Sequence, residues 1–393
     1  MASNVSGSEA DEVDVDVWLK AYWQRVRDAK RVVIKIGSNL LTANGETIQE
    51  DWIASRCSEI AALIAEGRQI VVVTSGAIAA GTPRLKLGRR PRTVPEKQAA
   101  AAAGQGVLMR AYEEAFGKFD LPVAQVLLTR DDASNARRYY NARDTLTTLL
   151  DLGLVPVINE NDTVVTEEIR NFGDNDTLAA LVACLVDADL LLLLSDVDGL
   201  FERDPRQDPE AKPIPLVERV TAEIEQLAGG IGSAVGKGGM ATKLRAAKKS
   251  ARCGCPMVLA NGFREGMISR IMTGDQSGTL FLSHDDPINS RRRWIVNGLP
   301  CEGTLQLDDG AVEALQSGKS LLASGIITCD GDFDRGAAIY CVGRDGKRVA
   351  KGITAYASEH LSVIVGRKSS DFEALLGFVG KDEIIHRNDL VML

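Results

Sequence analysis

The chain has 393 residues, 45% of them hydrophobic, and a formal net charge of −8 at pH 7. A single hydrophobic core rarely grows beyond roughly 250–300 residues, so this length predicts at least two domains. The negative charge argues against a protein that holds a polyanion by its overall charge. The sequence shows neither an apolar run of the ~18 residues that a membrane span needs nor the pattern of a signal peptide. We therefore expect a cytoplasmic protein.

The seven cysteines are spread along the chain without the spacing of a metal site. Only Cys253 and Cys255 are close together, and a C-x-C pair without nearby histidines is a poor zinc signature. With three histidines in the whole sequence, a histidine-based metal centre is not expected either. We expect reduced cysteines that serve mostly as small buried side chains, and no metal bound by the protein alone.

The predicted elements begin with an extension over residues 1–28. It contains a helix that carries Trp18, Leu19, Tyr22 and Val26 on one face, and we expect this helix to pack on the main domain. From residue 29 to residue 285, apolar runs typical of buried strands alternate with helical segments. The predicted strands are RVVIKIG, QIVVVTSGA, LPVAQVLLT, LVPVINEND, ADLLLLLSD and PMVLANG. This alternation predicts an α/β fold, an open and mostly parallel sheet with helices on both faces.

The pattern changes after residue 285. Residues 286–295 form a polar connector that includes Arg291, Arg292 and Arg293. Residues 296–393 contain short strand-like runs separated by turns such as DGDFDRG and GRDGKR. We expect this last segment to form a separate, compact, β-rich module.

Polar residues follow the predicted strands, at the edge where open α/β sheets bind ligands. Lys35 lies in an apolar strand, where an ammonium group is costly unless it meets an anion, although a lysine at a strand edge can also reach water. Gly37 follows it in a tight turn whose N–H groups can face a phosphate. Ser75 and Gly76 follow the second strand in the same way, a signal that is weak by itself.

Three further segments offer charged groups at this edge. Asp162 ends the run VINEND and is able to receive the ammonium group of an amino acid, and Ser195 and Asp196 end the most apolar strand. In the segment GKGGMATK, Lys237 and Lys243 enclose a glycine-rich turn able to fold over phosphates.

The run GDND places Asp174, Asn175 and Asp176 before an apolar helix. One such residue is enough for an N-cap, and the Glu or Gln of a capping box is absent, so the surplus indicates a site. Lysines on glycine turns together with carboxylates are the mixture that phosphoryl transfer needs. Carboxylates can organise the lysines, hold Mg²⁺ directly or through water, or receive an ammonium group.

The order of these motifs resembles the amino acid kinase family. The matching segments are VVIKIGSNLLT, VVVTSGAIAAG, LLTRDD…NARDTL, PVINENDTV, GDND, LLLLSDVDGL and GKGGMATKLRAA. The segment after residue 302 resembles the PUA module that follows the kinase domain in part of this family. The resemblance spans about residues 30 to 390. It implies an αβα-sandwich catalytic domain over residues 29–285 and a small PUA-like barrel over residues 296–393.

The resemblance implies ATP-dependent phosphorylation of the γ-carboxylate of L-glutamate to L-glutamyl 5-phosphate, the first step of proline synthesis. It further implies Mg²⁺ with ATP as co-substrate, feedback inhibition by proline, and a homo-oligomer, either a dimer or a tetramer. Lys35 and Lys243 would contact the transferring phosphoryl group, with Asp176 holding both lysines in place. The residues implied for glutamate are Ser75, Gly76, Asp162, Asp174 and Asn175. Those implied for ATP are Lys35, Gly37, Ser195, Asp196, Lys237, Gly238, Gly239, Met240, Ala241, Thr242 and Lys243.

Two alternatives stay open at this point. PUA modules elsewhere bind RNA, so the chain could be an RNA-binding protein with an inactive kinase scaffold. Residues 294–393 hold 10 Lys and Arg against 14 Asp and Glu, a net charge of −4 that disfavours electrostatic capture of RNA. Alternatively, the same fold could phosphorylate acetylglutamate, carbamate, aspartate or a nucleotide. The NEND and GDND motifs, with the appended module, favour glutamate.

Overall fold

A computed structural model describes residues 9–43, 47–129, 131–164, 174–227, 239–283, 295 and 300–393. The chain divides into two compact units, the first formed by Met1–Arg130 and Thr145–Asp285 and the second by Asp131–Asp144 and Asp286–Leu393. The predicted connector over residues 286–295, with its three arginines, lies outside the described residues except for Ile295. No described helix is long and apolar enough to cross a membrane.

The first part of the chain alternates strands and helices, as predicted. The strands are β1 (Arg31–Ile36), β2 (Thr42–Ala43), β3 (Thr47–Ile48), β4 (Gln69–Val73), β5 (Val123–Leu128), β6 (Val155–Glu160), β7 (Leu190–Ser195), β8 (Leu200–Phe201), β9 (Pro213–Ile214), β10 (Leu216–Val217), β11 (Met257–Asn261) and β12 (Thr279–Phe281). The helices are α1 (Glu9–Asp28), α2 (Ser38–Leu41), α3 (Glu50–Ala65), α4 (Ala77–Gly81), α5 (Val94–Gly117), α6 (Asp131–Ser134), α7 (Ala136–Asp151), α8 (Asn175–Leu185), α9 (Ala222–Leu227), α10 (Met240–Arg252) and α11 (Met267–Met272). Short 3₁₀ helices cover Thr82–Leu85 and Asp162–Val164.

Eight of these strands form one sheet in the order β10-β12-β11-β7-β1-β4-β6-β5. Neighbouring strands from β11 to β5 run parallel, and β12 runs antiparallel to β11. Every residue of β6 and β7 is buried, as expected for parallel strands that are covered on both faces. The predicted α/β class, with an open and mostly parallel sheet, is confirmed.

Strand β1 lies between β4 and β7, and the register aligns Lys35 with Val73 and Leu193. Because the three strands are parallel, they end at the same edge of the sheet. The loops that follow β1, β4 and β7 therefore open side by side, which is where ligands bind in this architecture.

Helix α1 packs on the first unit, as the sequence predicted. Trp23 and Val26 are buried in the main hydrophobic core, and Leu19 and Tyr22 pack against it. Trp18 lies in a part of this helix for which only the backbone is described. The segment thus contributes apolar surface to the core of the first unit.

Helices α4 and α5 approach each other closely because glycine occupies both contact positions. A Cβ atom on Gly81 would lie 1.8 Å from the carbonyl oxygen of Ala100, and one on Gly104 would lie 1.9 Å from that of Ala77. Backbone atoms cannot move aside as a flexible side chain can, so any larger residue would separate the two helices. The pair fixes α5 against α4, the short helix that follows β4.

Two cysteines form a disulfide, so the expectation that all seven are reduced is wrong. Cys184 in α8 is bonded to Cys253 at the end of α10, across 69 positions of sequence and with their Cα atoms 5.5 Å apart. Spacing alone could not pair them, because the pair depends on the packing of α8 against α10. Cys57, Cys255 and Cys341 are free and buried, as expected.

The second unit is rich in strands, as predicted for the C-terminal module. Its strands are β13 (Cys301–Leu307), β14 (Leu321–Leu322), β15 (Ile326–Asp330), β16 (Ala338–Val342), β17 (Arg348–Ile353), β18 (Glu383–Ile385) and β19 (Leu390–Met392), and its later helices are α12 (Asp309–Gln316), α13 (Ser358–Ile364) and α14 (Phe372–Leu376), with 3₁₀ helices at Ala323–Gly325, Ser369–Asp371 and Arg387–Asp389. Five strands form a sheet in the order β15-β13-β16-β17-β19. This unit also contains residues 131–144, which the sequence had placed in the first domain.

Replacement of the disulfide by Cys184→Ser with Cys253→Ser should destabilise the first unit. A cross-link over 69 residues limits the unfolded chain by an amount worth up to about 4 kcal/mol. Urea unfolding should show this loss for the double variant and for the wild type in reductant, while reductant should leave the variant unchanged. Cys301→Ser with Cys329→Ser, at two free cysteines, is the matched control. Wild-type unfolding that is insensitive to reductant would contradict the prediction.

Candidate active site

Two lysines share one buried carboxylate at the edge of the sheet. Lys35 Nζ lies 2.5 Å from Asp176 Oδ1, and Lys243 Nζ lies 3.2 Å from Asp176 Oδ2. The three side chains are at most 9% exposed. Lys35 comes from β1, Asp176 from the first turn of α8 and Lys243 from the first turn of α10. The contact therefore joins three separate elements at one point.

Asp176 is held by more than its two ion pairs. The hydroxyl of Thr242 donates to Asp176 Oδ2 over 2.6 Å, and the first turn of α8 places the carboxylate at the positive end of a helix dipole. Gly239, with φ +114° in a region that favours glycine, comes just before α10. This turn brings Thr242 and Lys243 together onto the same carboxylate.

The charges of the cluster alter the pKa values of its members. Burial by itself would raise the pKa of Asp176, but the ammonium groups of Lys35 and Lys243 outweigh burial and hold that pKa well below its usual range. Burial lowers the pKa of Lys35, and the positive charge of Lys243 adds to this effect while Asp176 opposes it. Two ammonium groups are thus balanced by the negative charge of a single carboxylate, which leaves a net positive charge. An anion brought to the cluster would relieve the remaining repulsion between the lysines.

A second group of side chains consists of neutral hydrogen-bonding residues. Asn175 Nδ2 lies 2.5 Å from the carbonyl oxygen of Thr74, 2.9 Å from Ser75 Oγ and 2.9 Å from Asn159 Oδ1. Thr74 and Ser75 follow β4, and Asn159 lies near the end of β6. Gly76 follows Ser75 with φ +94° and is the N-cap of α4. The amide of Asn175 thus joins the loop after β4 to the end of the neighbouring strand β6.

Asp174 is the N-cap of α8, one of the two readings that the sequence left open for it. Its Oδ1 accepts from the backbone N–H of Thr177 over 3.2 Å, and its Oδ2 accepts from the Thr177 hydroxyl over 2.8 Å. Arg245 Nη2 lies 3.6 Å from Asp174 Oδ2. Asp174 therefore fixes the start of the helix that carries Asn175 and Asp176.

Asp162 is a buried carboxyl group whose pKa is high. It begins the 3₁₀ helix after β6 and is 8% exposed. Burial raises the pKa of Asp162 to about 7, and the negative charge of Glu160 contributes to the same shift. Gln98 of α5 donates to the carbonyl oxygen of Thr163. A bound cation would favour the ionised form of this carboxyl group.

A third group lies where β1 and β7 end. Ser195 Oγ donates to Asp196 Oδ1 over 3.0 Å, and Asn39 Nδ2 donates to Asp196 Oδ2 over 2.9 Å. The backbone N–H of Gly37 donates to the carbonyl oxygen of Leu194. The turn after β1 is therefore bonded to the loop after β7. Burial alone would raise the pKa of Asp196, but the hydrogen bonds from Asn39 and Ser195 outweigh burial and lower that pKa, with a smaller contribution from the charge of Lys243.

The structure places most of the predicted site residues at this edge of the sheet. Met240 and Ala241 begin α10, while Lys237 and Gly238 lie outside the described residues. Sequence reasoning missed Gln105 and Asn39, which bond to Asn159 and Asp196. The signal for Gln105 was weak, a polar residue between two glycines in an alanine-rich run, and Asn39 resembled an ordinary helix start.

The described residues contain no group of three or more His, Cys, Asp or Glu side chains placed to hold a metal ion. Both oxygens of Asp176 already contact Lys35, Lys243 and Thr242. That carboxylate therefore fits the role of an organiser of cations better than that of a metal ligand.

Comparison with known proteins gives consistent matches along the chain. A model described as the amino acid kinase family matches residues 30–261, and one described as the PUA domain matches residues 303–376. The glutamate 5-kinase of Geobacter sulfurreducens is 49% identical over 365 residues, which cover 93% of this chain and 98% of that protein. That of Pelobacter propionicus is 50% identical over 368 residues, with 93% and 98% covered. That of Stutzerimonas stutzeri is 48% identical over 370 residues, with 94% and 99% covered.

Because two lysines share one carboxylate, loss of the carboxylate and loss of one lysine should lower the stability by different amounts. Asp176→Asn leaves two buried ammonium groups without their counter-charge and should lower the free energy of unfolding by about 3 kcal/mol. Lys35→Met leaves one ammonium and one carboxylate, which balance, and should cost less than half as much. Urea unfolding of both variants at pH 7 measures the difference. Equal losses would show that charge balance does not stabilise the cluster.

Proposed function

The chain belongs to the amino acid kinase family, and we propose that it transfers the γ-phosphoryl group of ATP to the γ-carboxylate of L-glutamate. The product is L-glutamyl 5-phosphate, and the reaction is the first step of proline biosynthesis. The observation that carries the proposal is the pair of buried lysines on one carboxylate, beside an amide group suited to an amino acid. The identity with glutamate 5-kinases over nearly the whole chain supports glutamate among the substrates weighed.

The reaction forms a bond between a γ-carboxylate oxygen of glutamate and the γ-phosphorus of ATP. The bond from that phosphorus to the bridging oxygen breaks, and ADP leaves with the electron pair. The carboxylate is already ionised at pH 7, so no general base is needed. The difficulty is the approach of two anions in line. Lys35 and Lys243 would neutralise the transferring group, and Asp176 would hold both ammonium groups in position.

Mg²⁺ would accompany ATP, where it shields phosphate charge. The oxygens of Asp176 are committed to the lysines and Thr242, so we assign no metal ligand in this cluster. The residues proposed for the nucleotide are those after β1 and β7 and at the start of α10, namely Lys35, Gly37, Ser195, Asp196, Gly239, Met240, Ala241, Thr242 and Lys243, with Lys237 and Gly238.

The residues proposed for glutamate lie after β4 and β6 and at the start of α8. Asn175, Ser75 and Gly76 would form one side of the site. Asp162 would receive the α-ammonium group, which supplies the cation that its ionised form requires. Asp174 would act as the cap that positions Asn175.

Four further features belong to this proposal. They are feedback inhibition by proline, a homo-oligomeric state, a cytoplasmic location, and the domain limits at residues 29–285 and 296–393. The complete Lys35–Asp176–Lys243 cluster argues against the alternative of an inactive scaffold that only binds RNA.

Lys35→Ala and Lys243→Ala should each lower kcat by at least about 100-fold while the KM for glutamate changes only a few-fold. The reason is that the lysines act on charge that moves in the transition state. The measurement is ATP- and Mg²⁺-dependent hydroxamate formation with L-glutamate, compared with aspartate and N-acetylglutamate. Lys248→Ala, on the same helix and bonded to Glu225, is the control. A raised KM with unchanged kcat would refute the assignment.

The high pKa of Asp162 predicts the pH dependence of glutamate use. Below pH 7 the protonated carboxyl group cannot pair with an ammonium group, so kcat/KM for glutamate should rise through about pH 7. The rise should be about tenfold between pH 6 and pH 8. Asp162→Asn should give a low and flat profile over this range. A variant that keeps the wild-type rise would assign the titration to another group.

A further inference from the structure

The amide of Asn175 has its donor side fully occupied by the protein. Its Nδ2 lies within hydrogen-bond distance of the carbonyl oxygen of Thr74, of Ser75 Oγ and of Asn159 Oδ1. An amide nitrogen has two hydrogens, so none remains for a ligand. Asn175 Oδ1 is buried and has no hydrogen-bond partner within the described part of the chain. Asn175 therefore presents an acceptor, which suits the α-ammonium group of an amino acid.

Asn159 connects this amide to helix α5. Its Oδ1 accepts from Asn175 and also from the backbone N–H of Glu160 over 2.9 Å. Its Nδ2 donates to Gln105 Oε1 over 2.9 Å. Asn159 is 2% exposed, so water cannot readily replace a lost acceptor, and an unpaired Nδ2 would be costly. Without Gln105, the side chain of Asn159 would have reason to turn away from Asn175.

Helix α5 contacts the hydrogen-bonded group around Asn175 at a second place. Tyr112 lies seven residues after Gln105, on the same side of the helix, and its hydroxyl is 2.9 Å from Thr74 Oγ1. The contact between Gly81 and Gly104 fixes this helix against α4, immediately before Gln105. Gln105 is thus attached to a well-packed part of the helix and can act as a fixed support.

We propose that Gln105 is a positioning residue for the amino-acid substrate. By accepting from Asn159 Nδ2, it holds Asn159 against Asn175, and Asn175 Oδ1 is thereby kept toward the α-ammonium group. The inference rests on the proposed function and assigns to that site a residue from a helix that the sequence motifs do not include. Gln105 acts through Asn159, so its effect should fall on glutamate affinity and leave phosphoryl transfer almost unchanged.

The test compares variants of the full-length chain in the hydroxamate assay, with glutamate and ATP varied separately. Gln105→Leu removes the acceptor and should raise the KM for glutamate about tenfold, with kcat and the KM for ATP within about twofold. Gln105→Glu keeps an acceptor in either protonation state and should stay within about threefold of the wild type. Gln125→Leu, at an exposed glutamine on β5, is the matched control and should change none of these values.

A double-mutant cycle tests the route through Asn159. Asn159→Asp removes the Nδ2 donor, so adding Gln105→Leu to it should raise the KM for glutamate by less than about twofold more. If the increases in the KM for glutamate of the two single variants multiply in the double variant, the proposal is wrong. Gln105→Glu behaving like Gln105→Leu would also overturn it, since the loss would then belong to the Nε2 hydrogens. A wild-type chain that turns over no glutamate would instead refute the proposed function, and this inference with it.

Discussion

The sharing of one carboxylate by two buried ammonium groups is the constraint that the rest of the site depends on. Removing a charged group from water is costly unless its partner lies close to it. Lys35 and Lys243 meet this condition only where the end of β1 and the first turns of α8 and α10 come together at Asp176. The order of the sheet, with β1 beside β7 and β4, brings these three elements to one edge. The fold therefore determines the position of the positive charge before any substrate binds.

The two helices that bring Asp176 and Lys243 together are connected at both ends. At their starts, Asp176 contacts Thr242 and Lys243, and at their far ends Cys184 is bonded to Cys253. Two distant attachments prevent one helix from rotating or sliding along the other. The first turn of α10, which carries Lys243, is therefore fixed against the first turn of α8, which carries Asp176.

The sequence was sufficient where a signal is local. A lysine inside an apolar strand and an excess of polar residues before a helix each conflict with ordinary packing, and both Lys35 and Asp176 lie in the cluster. The sequence was not sufficient where position depends on contacts between distant segments. Cys184 and Cys253 are brought together by helix packing, and Gln105 by the close approach of two glycine-containing helices. Residues 131–144 belong to the second unit, although they lie within the sequence range predicted for the first domain.

The division of the site into a charged side and an amide side has a physical reason. A carboxylate in place of Asn175 could also receive an ammonium group, but it would lie one residue from Asp176 and compete for the same lysines. The excess positive charge, which in the proposed reaction would attract the phosphoryl group, would then be lost. A neutral amide offers an acceptor without a net charge and therefore does not neutralise the lysines. Asn159 and Gln105 are neutral amides as well, and each orients its neighbour without adding charge to the site. Asp162 is the exception, because it is a carboxyl group. Burial and the charge of Glu160 raise its pKa to about 7, so it is only partly ionised at neutral pH. A bound cation, such as the α-ammonium group of the proposed substrate, would complete its ionisation.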